Sequence, residues 1–178
     1  MIAAVRRLSG AHRRRGGDFV KRDSEFDIVI WGATGFTGRL AAEKLAARSE
    51  DERDLRWAIG GRNEAKLESV RSALGPAAAD IPIITGDSHD LASLEALAAR
   101  TNVVCSRVGP YAMYGSELRA ACARSCTHYC DLADEAHWIR KMMDAHEAEA
   151  ADTGALFVLA CGMDSIPSDL GVFFLQNR

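Results

Sequence analysis

The feature that most constrains the fold is a regular alternation of short apolar runs with longer stretches of helical periodicity. The runs are rich in Val and Ile and predict β-strands, whereas apolar residues three and four positions apart predict the helices between them. The predicted strands are Asp27–Trp31, Leu55–Gly60, Ile81–Thr85, Asn102–Ser106, His128–Leu132 and Ala155–Cys161. The predicted helices are Gly38–Arg48, Asn63–Leu74, Asp90–Ala99, Ser116–Arg124 and Glu135–Asp152. Because strands joined by single helices pair in parallel, the sequence predicts an α/β domain with a doubly wound parallel sheet.

Residues that favour helix ends fall at the expected places. The predicted N-caps are Asn63, Asp90 and Ser116. Gly75 followed by Pro76 ends the second helix, and Gly154 suits a left-handed cap after the fifth. These residues support the division of the chain into alternating elements.

Three glycines follow the first predicted strand directly, in the segment WGATGFTGRL at residues 31–40. In a strand–turn–helix context, Gly32 permits the sharp turn, Gly35 lets backbone amides approach a pyrophosphate, and Gly38 lets helix and strand pack closely. The helix N-terminus attracts an anion, and Thr34 and Thr37 offer hydroxyl donors. The segment does not match the nucleoside triphosphate pattern, since Arg39 follows Gly38. We therefore expect a Rossmann-type NAD(P)-binding domain.

The end of the second strand indicates which dinucleotide binds. An acid at this place would accept hydrogen bonds from a ribose 2′-hydroxyl, but the sequence is Gly60-Gly61-Arg62-Asn63, with no carboxylate before Glu64. Arg62 is placed to hold a 2′-phosphate. The sequence therefore predicts NADP(H) as the cofactor in preference to NAD(H).

Two further loops reach the same edge of the predicted sheet. Asp87 follows the third strand, where it either accepts a hydrogen bond from the adenine amino group or begins a turn. Val108 and Gly109 follow the fourth strand, where a glycine allows close backbone approach to the nicotinamide half of the cofactor. Both loops belong to the predicted cofactor site.

Charge and length limit the class of protein. The chain has 178 residues, which suits one globular domain. Residues 1–26 carry seven Lys/Arg and three acids, and the remaining 152 residues carry 15 and 22. This acidic body argues against nucleic-acid binding. We expect a basic disordered tail at 1–25, with a mitochondrial presequence as the alternative, and no membrane-spanning segment.

Five cysteines without an export signal suggest reduced thiols inside a cell. Cys122, Cys126 and Cys130 form a CxxxCxxxC array, but the predicted elements place them on a helix, a turn and a strand, and the spacing is not a C-x2-C pair. No metal site is therefore predicted. A thiol or metal protein built on these cysteines is the weakest of the functional alternatives.

Several segments together resemble the saccharopine dehydrogenase-like oxidoreductases, a family that includes the trans-acting enoyl reductases of glycolipid synthesis. The matching segments are GATGFTG at 32–38, GGR at 60–62, VGPYAMYG at 108–115, THYCDLADE at 127–135 and CGMDSIPSDLG at 161–171. The resemblance runs from Phe26 to the end of the chain and implies an NADP-binding domain over residues 26–178. It implies cofactor contacts at Gly32, Thr34, Gly35, Phe36, Thr37, Gly38 and Arg62.

The sequence departs from the family pattern at three places and in length. Arg107 stands where a small or uncharged residue is usual, Ser125-Cys126 replaces a glycine, and Met163 replaces a common Phe. Family members continue into a second region that helps to form the substrate site, which is absent from these 178 residues. The resemblance also implies a cytoplasmic location, or one at the periphery of a membrane or lipid droplet.

Two functional hypotheses follow. The first is the NADP(H)-binding domain of an oxidoreductase that moves a hydride to or from an unsaturated, enoyl or lipid substrate, or an imine-type one. The second is a dinucleotide-binding module without turnover, acting as a sensor or assembly partner. Tyr111, Tyr114 and Asp131 lie at the ligand edge as proton donors or as packing and turn residues, so no catalytic residue is assigned.

Overall fold

The computed structural model describes residues 24–49 and 55–177 of the chain. The strands are β1 Phe26–Trp31, β2 Trp57–Gly61, β3 Ile83–Thr85, β4 Thr101–Ser106, β5 His128–Cys130 and β6 Phe157–Val158. The helices are α1 Phe36–Ser49, α2 Glu64–Ala73, α3 Leu91–Ala99, α4 Tyr111–Tyr114, α5 Ser116–Arg124, α6 Ala136–Thr153 and α7 Ile166–Gln176, with a 3-10 turn at Pro76–Ala78. The predicted tail lies outside the described residues except for Ser24 and Glu25.

The strands form one parallel sheet in the order β3-β2-β1-β4-β5-β6. The chain runs outward from β1 to β3 and then crosses back to the other side of β1, so the strand order reverses between β1 and β4. The predicted doubly wound α/β fold is confirmed. Such a reversal leaves a crevice at the carboxyl ends of the strands, where ligands bind in this architecture.

The two faces of the sheet are covered by different helices. Ile28 and Ile30 of β1 pack with buried residues of α1 and α2, whereas Val29 and Trp31 pack with α3 and α5. This alternation follows from the two-residue period of side chains along a strand. The β-branched runs are fully buried because helices lie on both sides of the central strands.

The C-terminal end of the domain is less well covered. Val158 in the edge strand β6 is 43% exposed, and no side chain of α7 is buried. The large apolar residues exposed on α7 are Ile166, Leu170, Val172, Phe173, Phe174 and Leu175. None of the helices within the described ranges has both the length and the apolar character needed to cross a membrane.

Helix ends agree with the sequence in four cases and differ in one. The second helix ends at Ala73, with Leu74 as its C-cap directly before Gly75-Pro76. Asn63 and Asp90 accept hydrogen bonds from Lys66 N and Ala92 N as predicted N-caps, and Gly154 ends α6 at φ +80°. Ser116 was predicted as a cap and is not one, because α4 leads into α5 through Gly115. Its hydroxyl oxygen instead accepts a hydrogen bond from Trp138 Nε1 at 3.0 Å.

Candidate functional site

The turn after β1 brings the first glycine against the loop that follows β4. Gly32 has φ +87°, and a Cβ there would lie 2.6 Å from Val108 Cγ2 and 3.1 Å from the Arg107 carbonyl oxygen. Any side chain would therefore both strain the backbone and separate the two loops. The predicted role of Gly32 in the sharp turn is confirmed.

The third glycine packs the start of α1 onto the same turn. A Cβ on Gly38 would lie 2.1 Å from the Gly32 carbonyl oxygen and 2.9 Å from Ala33 Cα. Gly35 is different, because a Cβ there would lie 3.5 Å from the Gly32 carbonyl oxygen, which is an ordinary contact distance, and the residue is exposed. Close packing at Gly38 is thus observed, while the backbone at Gly35 is open to solvent as approach by a phosphate requires.

The N-terminus of α1 points its first amides toward this open side. Arg39 N donates to Gly35 O at 3.0 Å, so the N–H groups of Phe36, Thr37 and Gly38 precede that helical bond and have no carbonyl one turn back. No acid occupies the first turn. These amides and the helix dipole favour the binding of an anion. The side chains of Phe36 and Thr37, in the same turn, are exposed.

Arg62 lies at the carboxyl end of β2, the strand adjacent to β1. The two strand ends are joined by Gly32 N, which donates to Gly60 O at 2.8 Å. Arg62 is exposed, and its guanidinium carbon lies 5.8 Å from the centre of the Tyr114 ring. Within residues 24–49 and 55–177, no carboxylate forms an ion pair with it. The cation is therefore available to a ligand phosphate.

Asp87 adopts the turn that was one of its two predicted alternatives. Its Oδ1 accepts from His89 N at 2.9 Å, and its own N–H donates to Ser93 Oγ at 3.2 Å. The residue is exposed after β3, next in sheet order to the end of β2. A contact between Asp87 and the adenine stays a prediction.

Val108 and Gly109 lie where the strand order reverses. Arg107 N donates to Trp31 O at 2.8 Å, which ties the end of β4 to the end of β1. Val108 is half-buried against the glycine turn, and Gly109 is exposed. The cofactor residues predicted from the sequence thus converge at the adjacent ends of β3, β2, β1 and β4.

A carboxylate that the sequence analysis did not single out fixes the loop after β4. Glu135 Oε1 accepts from Tyr111 N at 2.9 Å and Oε2 accepts from Ala112 N at 2.8 Å. Both amides belong to the first turn of α4, which a negative charge stabilises. The VGPYAMYG and THYCDLADE segments are therefore joined by one side chain. No local spacing rule indicates a contact between residues this far apart.

Tyr111 and Asp131 serve the fold at the ends of β4, β5 and β6. The Tyr111 hydroxyl donates to Ser106 O and accepts from Leu132 N, both at 3.2 Å, and burial raises the pKa of Tyr111 to about 12. Asp131 Oδ1 accepts from Ala133 N and Ala160 N at 3.1 Å each, and burial raises its pKa also. These bonds support the packing and turn interpretation of both residues.

The cysteines are grouped differently from the CxxxCxxxC array. Cys122 is buried on α5, where burial raises the pKa of its thiol, and Cys126 Sγ donates to Thr153 O. Cys130 instead pairs in register with Cys105 of β4. A hydrogen bond with Cys130, together with the nearby Arg107 charge, lowers the pKa of Cys105 to about 7 against the effect of burial. In the part of the chain that the structure describes, no group of three or more His, Cys, Asp or Glu is arranged to hold a metal ion.

The departures from the family pattern have local consequences. Cys126, at the place of the usual glycine, adopts φ +54°, a conformation that glycine enters at lower cost. Arg107 is half-buried beside the Cys105 thiol. Met163 is 86% exposed, so no packing contact explains the exchange of Phe for Met.

A glycine turn at the first strand end, a helix N-terminus behind it and an exposed arginine at the second strand end define a dinucleotide-binding Rossmann domain. The model of the saccharopine dehydrogenase NADP binding domain family matches residues 28–158. The chain belongs to this family and is an NADP-binding domain.

Similar proteins agree with that assignment. The chain is 50% identical to a trans-acting enoyl reductase of Mycobacterium leprae over 154 residues, which are 86% of this chain and 36% of the relative. It is 50% identical to a trans-acting enoyl reductase of Mycobacterium tuberculosis (strain H37Rv) over 156 residues, 88% of this chain and 37% of the relative. The chain therefore spans little more than a third of the length of these curated relatives.

Solved structures share the fold. Apo saccharopine dehydrogenase (L-Glu forming) from Saccharomyces cerevisiae superposes with a TM-score of 0.63 at 20% identity, over 78% of this chain and 28% of that chain. AtPrR2 with NADP+ and (+)pinoresinol superposes with a TM-score of 0.51 at 12% identity, over 78% of this chain and 50% of that chain. At these identities, the likeness shows the fold alone.

Proposed function

We propose that this chain is the NADPH-binding part of a reductase that acts on the carbon–carbon double bond of an enoyl or lipid substrate. The observation that carries the proposal is the meeting of the Gly32–Gly38 turn with Arg62 at adjacent strand ends. The substrate class is suggested by the enoyl reductases of mycobacteria that the chain resembles at 50% identity.

The residues present fit the cofactor. The first-turn amides of α1 suit the pyrophosphate, because Gly35 carries no side chain above them and no acid lies in that turn. Thr34 and Thr37 add hydroxyl donors, and the exposed Arg62, which has no carboxylate partner among the described residues, suits the 2′-phosphate. Val108 and Gly109 would line the nicotinamide side, with Asp87 near the adenine.

When bound, the reduced cofactor supplies a hydride, which adds to one carbon of the double bond while a proton adds to the other. The work of this chain is to hold the phosphates and to fix the loop after β4. Neither Tyr111 nor Asp131 is proposed as the proton donor, because each is buried and bonded to backbone groups. The proton is proposed to come from a solvent water molecule at the exposed side of the site.

The test is an assay of NADPH oxidation by the purified chain with α,β-unsaturated thioesters, alongside NADPH binding followed by protein fluorescence. The proposal expects binding, and NADPH consumption matched by formation of the saturated thioester. An imine substrate serves as the comparison and should be reduced more slowly. Binding without turnover of either substrate would contradict the reductase and favour a dinucleotide-binding module.

We also propose an intracellular location, in the cytoplasm or at the periphery of a membrane or lipid droplet. The support is that each of the five cysteines is a free thiol, as expected where glutathione keeps thiols reduced. The Arg-rich N-terminus makes the mitochondrion the alternative. Imaging of the full chain with a C-terminal fluorescent tag tests this, since a mitochondrial or extracellular signal would contradict the proposal.

A further inference from the structure

Tyr114 belongs to the VGPYAMYG segment, whose Val108 and Gly109 are assigned to the nicotinamide side of the site. Its ring, however, lies next to Arg62, which is assigned to the 2′-phosphate. The Arg62 guanidinium carbon is 5.8 Å from the ring centre, and the His89 ring centre is 5.4 Å away at an interplanar angle of 51°. Arg62 follows β2, His89 follows β3 and Tyr114 follows β4. Three loops that are distant in sequence thus meet around one half-buried aromatic ring.

The backbone holds this ring in place. Tyr114 N donates to Pro110 O at 3.1 Å, and the other end of the same turn is held by Glu135. A Cβ on the next residue, Gly115, would lie 2.8 Å from Trp138 Cζ2, so the turn sits directly against α6. The backbone that carries the ring is therefore held on both sides.

Arg62 differs from the other arginines that lie over aromatic rings, Arg100 and Arg119. Arg100 also pairs with Glu25 and Arg119 is buried, whereas Arg62 is exposed. Ion pairs join Arg56 to Asp27, Arg71 to Glu68, Arg100 to Glu25, Arg124 to Glu95 and Arg140 to Asp144. A carboxylate partner occupies the N–H donors of a guanidinium, whereas an aromatic face attracts the cation and leaves those donors for another acceptor. At Arg62, the structure describes a ring and no carboxylate.

We propose that Tyr114 is a positioning residue for cofactor selection, whose ring holds the Arg62 guanidinium with its donors directed to the 2′-phosphate of NADP(H). The His89 ring also packs against Tyr114, and the His89 backbone is held by its N–H donating to Asp87 Oδ1. This inference rests on the proposed function, in which Arg62 binds that phosphate. The loop after β4 then serves both ends of the cofactor.

The experiment is titration of the full chain with NADPH and with NADH, comparing Tyr114→Leu with the matched control Tyr114→Phe. Loss of the ring should weaken NADPH binding about two- to fivefold and leave NADH binding unchanged, as expected for an exposed cation–π contact. Tyr114→Phe keeps the aromatic face and should bind both cofactors as the unaltered chain does. A uniform loss for both cofactors would overturn the inference.

A double variant separates positioning from packing. In an Arg62→Ala background, Tyr114→Leu should cause no further loss of NADPH affinity, because there is no guanidinium left to hold. An undiminished loss in that background would overturn the inference. Thermal unfolding of each variant is measured in parallel, and Tyr114→Met, which fills the same space without an aromatic face, replaces Leu if the Leu variant unfolds.

The outcomes also distinguish this inference from the proposed function. If the unaltered chain binds neither dinucleotide, the proposed function fails and takes the inference with it. If the unaltered chain prefers NADPH and Tyr114→Leu keeps that preference in full, the inference alone fails.

Discussion

The carboxyl ends of β1 and β2 differ in construction from those of β4, β5 and β6. At β1 and β2, a glycine turn, the first amides of α1 and the exposed Arg62 are left accessible. At β4 to β6, the backbone amides are already occupied by the carboxylates of Glu135 and Asp131 and by the Tyr111 hydroxyl. Both regions lie along the same edge of one sheet.

The difference shows that motif residues at a ligand edge have two kinds of role. Those of the first region leave donors for a ligand, whereas those of the second bond to each other and shape the loop that borders it. A polar residue near a ligand edge is therefore a contact candidate only when its hydrogen bonds are not satisfied within the fold. Tyr111 does not meet that condition, and Arg62 does. Asp131 meets it in part, because its Oδ1 accepts from two backbone amides while its buried Oδ2 has no hydrogen-bond partner among the described residues.

The largest effect is expected from Gly38→Ala, which tests whether the first region needs its close packing. A methyl group 2.1 Å from the Gly32 carbonyl oxygen forces the backbone apart, so unfolding should be easier by about 3 kcal/mol. Urea unfolding followed by tryptophan fluorescence measures this. Cofactor binding should be lost with it.

Gly35→Ala is the matched control for that prediction. Its methyl group meets nothing nearer than 3.5 Å, so stability should change by no more than about 0.5 kcal/mol, while dinucleotide affinity falls because the methyl group enters the open side. Equal stability losses for the two variants would show that the crowding at Gly38 is not what holds the turn.

A smaller effect is expected from Glu135→Ala, which removes the bond between the loops after β4 and β5. Two amides of α4 lose their acceptor, which should lower the free energy of unfolding by about 2 kcal/mol. Asp134→Ala, at the exposed neighbouring position, should change it little. Hydrogen exchange at Tyr111 and Ala112 should become faster only in the first variant. Unchanged exchange would mean that the carboxylate does not hold this loop.

The smallest effect is expected near the amino ends of the strands, away from the cofactor site, where Asp27 of β1 pairs with Arg56. Burial alone would raise the pKa of Asp27, but hydrogen bonds from Arg56 and Asn102 outweigh it and hold the pKa below its usual range. A lowered pKa contributes stability above the ordinary value of about 4, and this stability is lost as the pH falls through the lowered value.

Asp27→Asn should therefore lower the free energy of unfolding by about 1 kcal/mol at neutral pH, with the difference shrinking below about pH 4. Glu25→Gln, in the exposed pair with Arg100, should have a smaller effect. Neither change should alter the preference between NADPH and NADH. A pH-independent difference for Asp27→Asn would show that the pair does not act through its charge.

Patterns within short segments of the sequence predicted the fold well. They did not predict the contacts at the carboxyl ends of β4, β5 and β6. The Val- and Ile-rich strands, the caps at Asn63 and Asp90 and the packing of Gly38 on Gly32 and Ala33 depend on neighbours close in sequence, and these were predictable. Strand bounds were less so, since β6 is confined to Phe157–Val158 within the predicted Ala155–Cys161. A strand ends where its pairing with the neighbouring strand ends. The apolar run in the sequence is longer than the part that pairs with β5, so it predicted a strand that was too long.

What sequence reasoning missed depends on contacts between distant residues. The Glu135 carboxylate is 24 positions from the Tyr111 amide that it caps, and Tyr114 reaches Arg62 only because three loops converge at one edge of the sheet. The need for glycine at position 60 also comes from a distant residue, because a Cβ there would lie 2.8 Å from the Trp31 ring. No periodicity or spacing within a single segment carries this information.

The central claim is that the accessible first region selects NADP(H) through Arg62. The direct measurement is titration of the unaltered chain and of Arg62→Ala with NADPH and NADH under the same salt conditions. The account predicts that the unaltered chain prefers NADPH and that the substitution weakens NADPH binding about ten- to a hundredfold without changing NADH binding. Equal affinities of the unaltered chain for the two cofactors, or an NADPH affinity that survives the loss of Arg62, would contradict it.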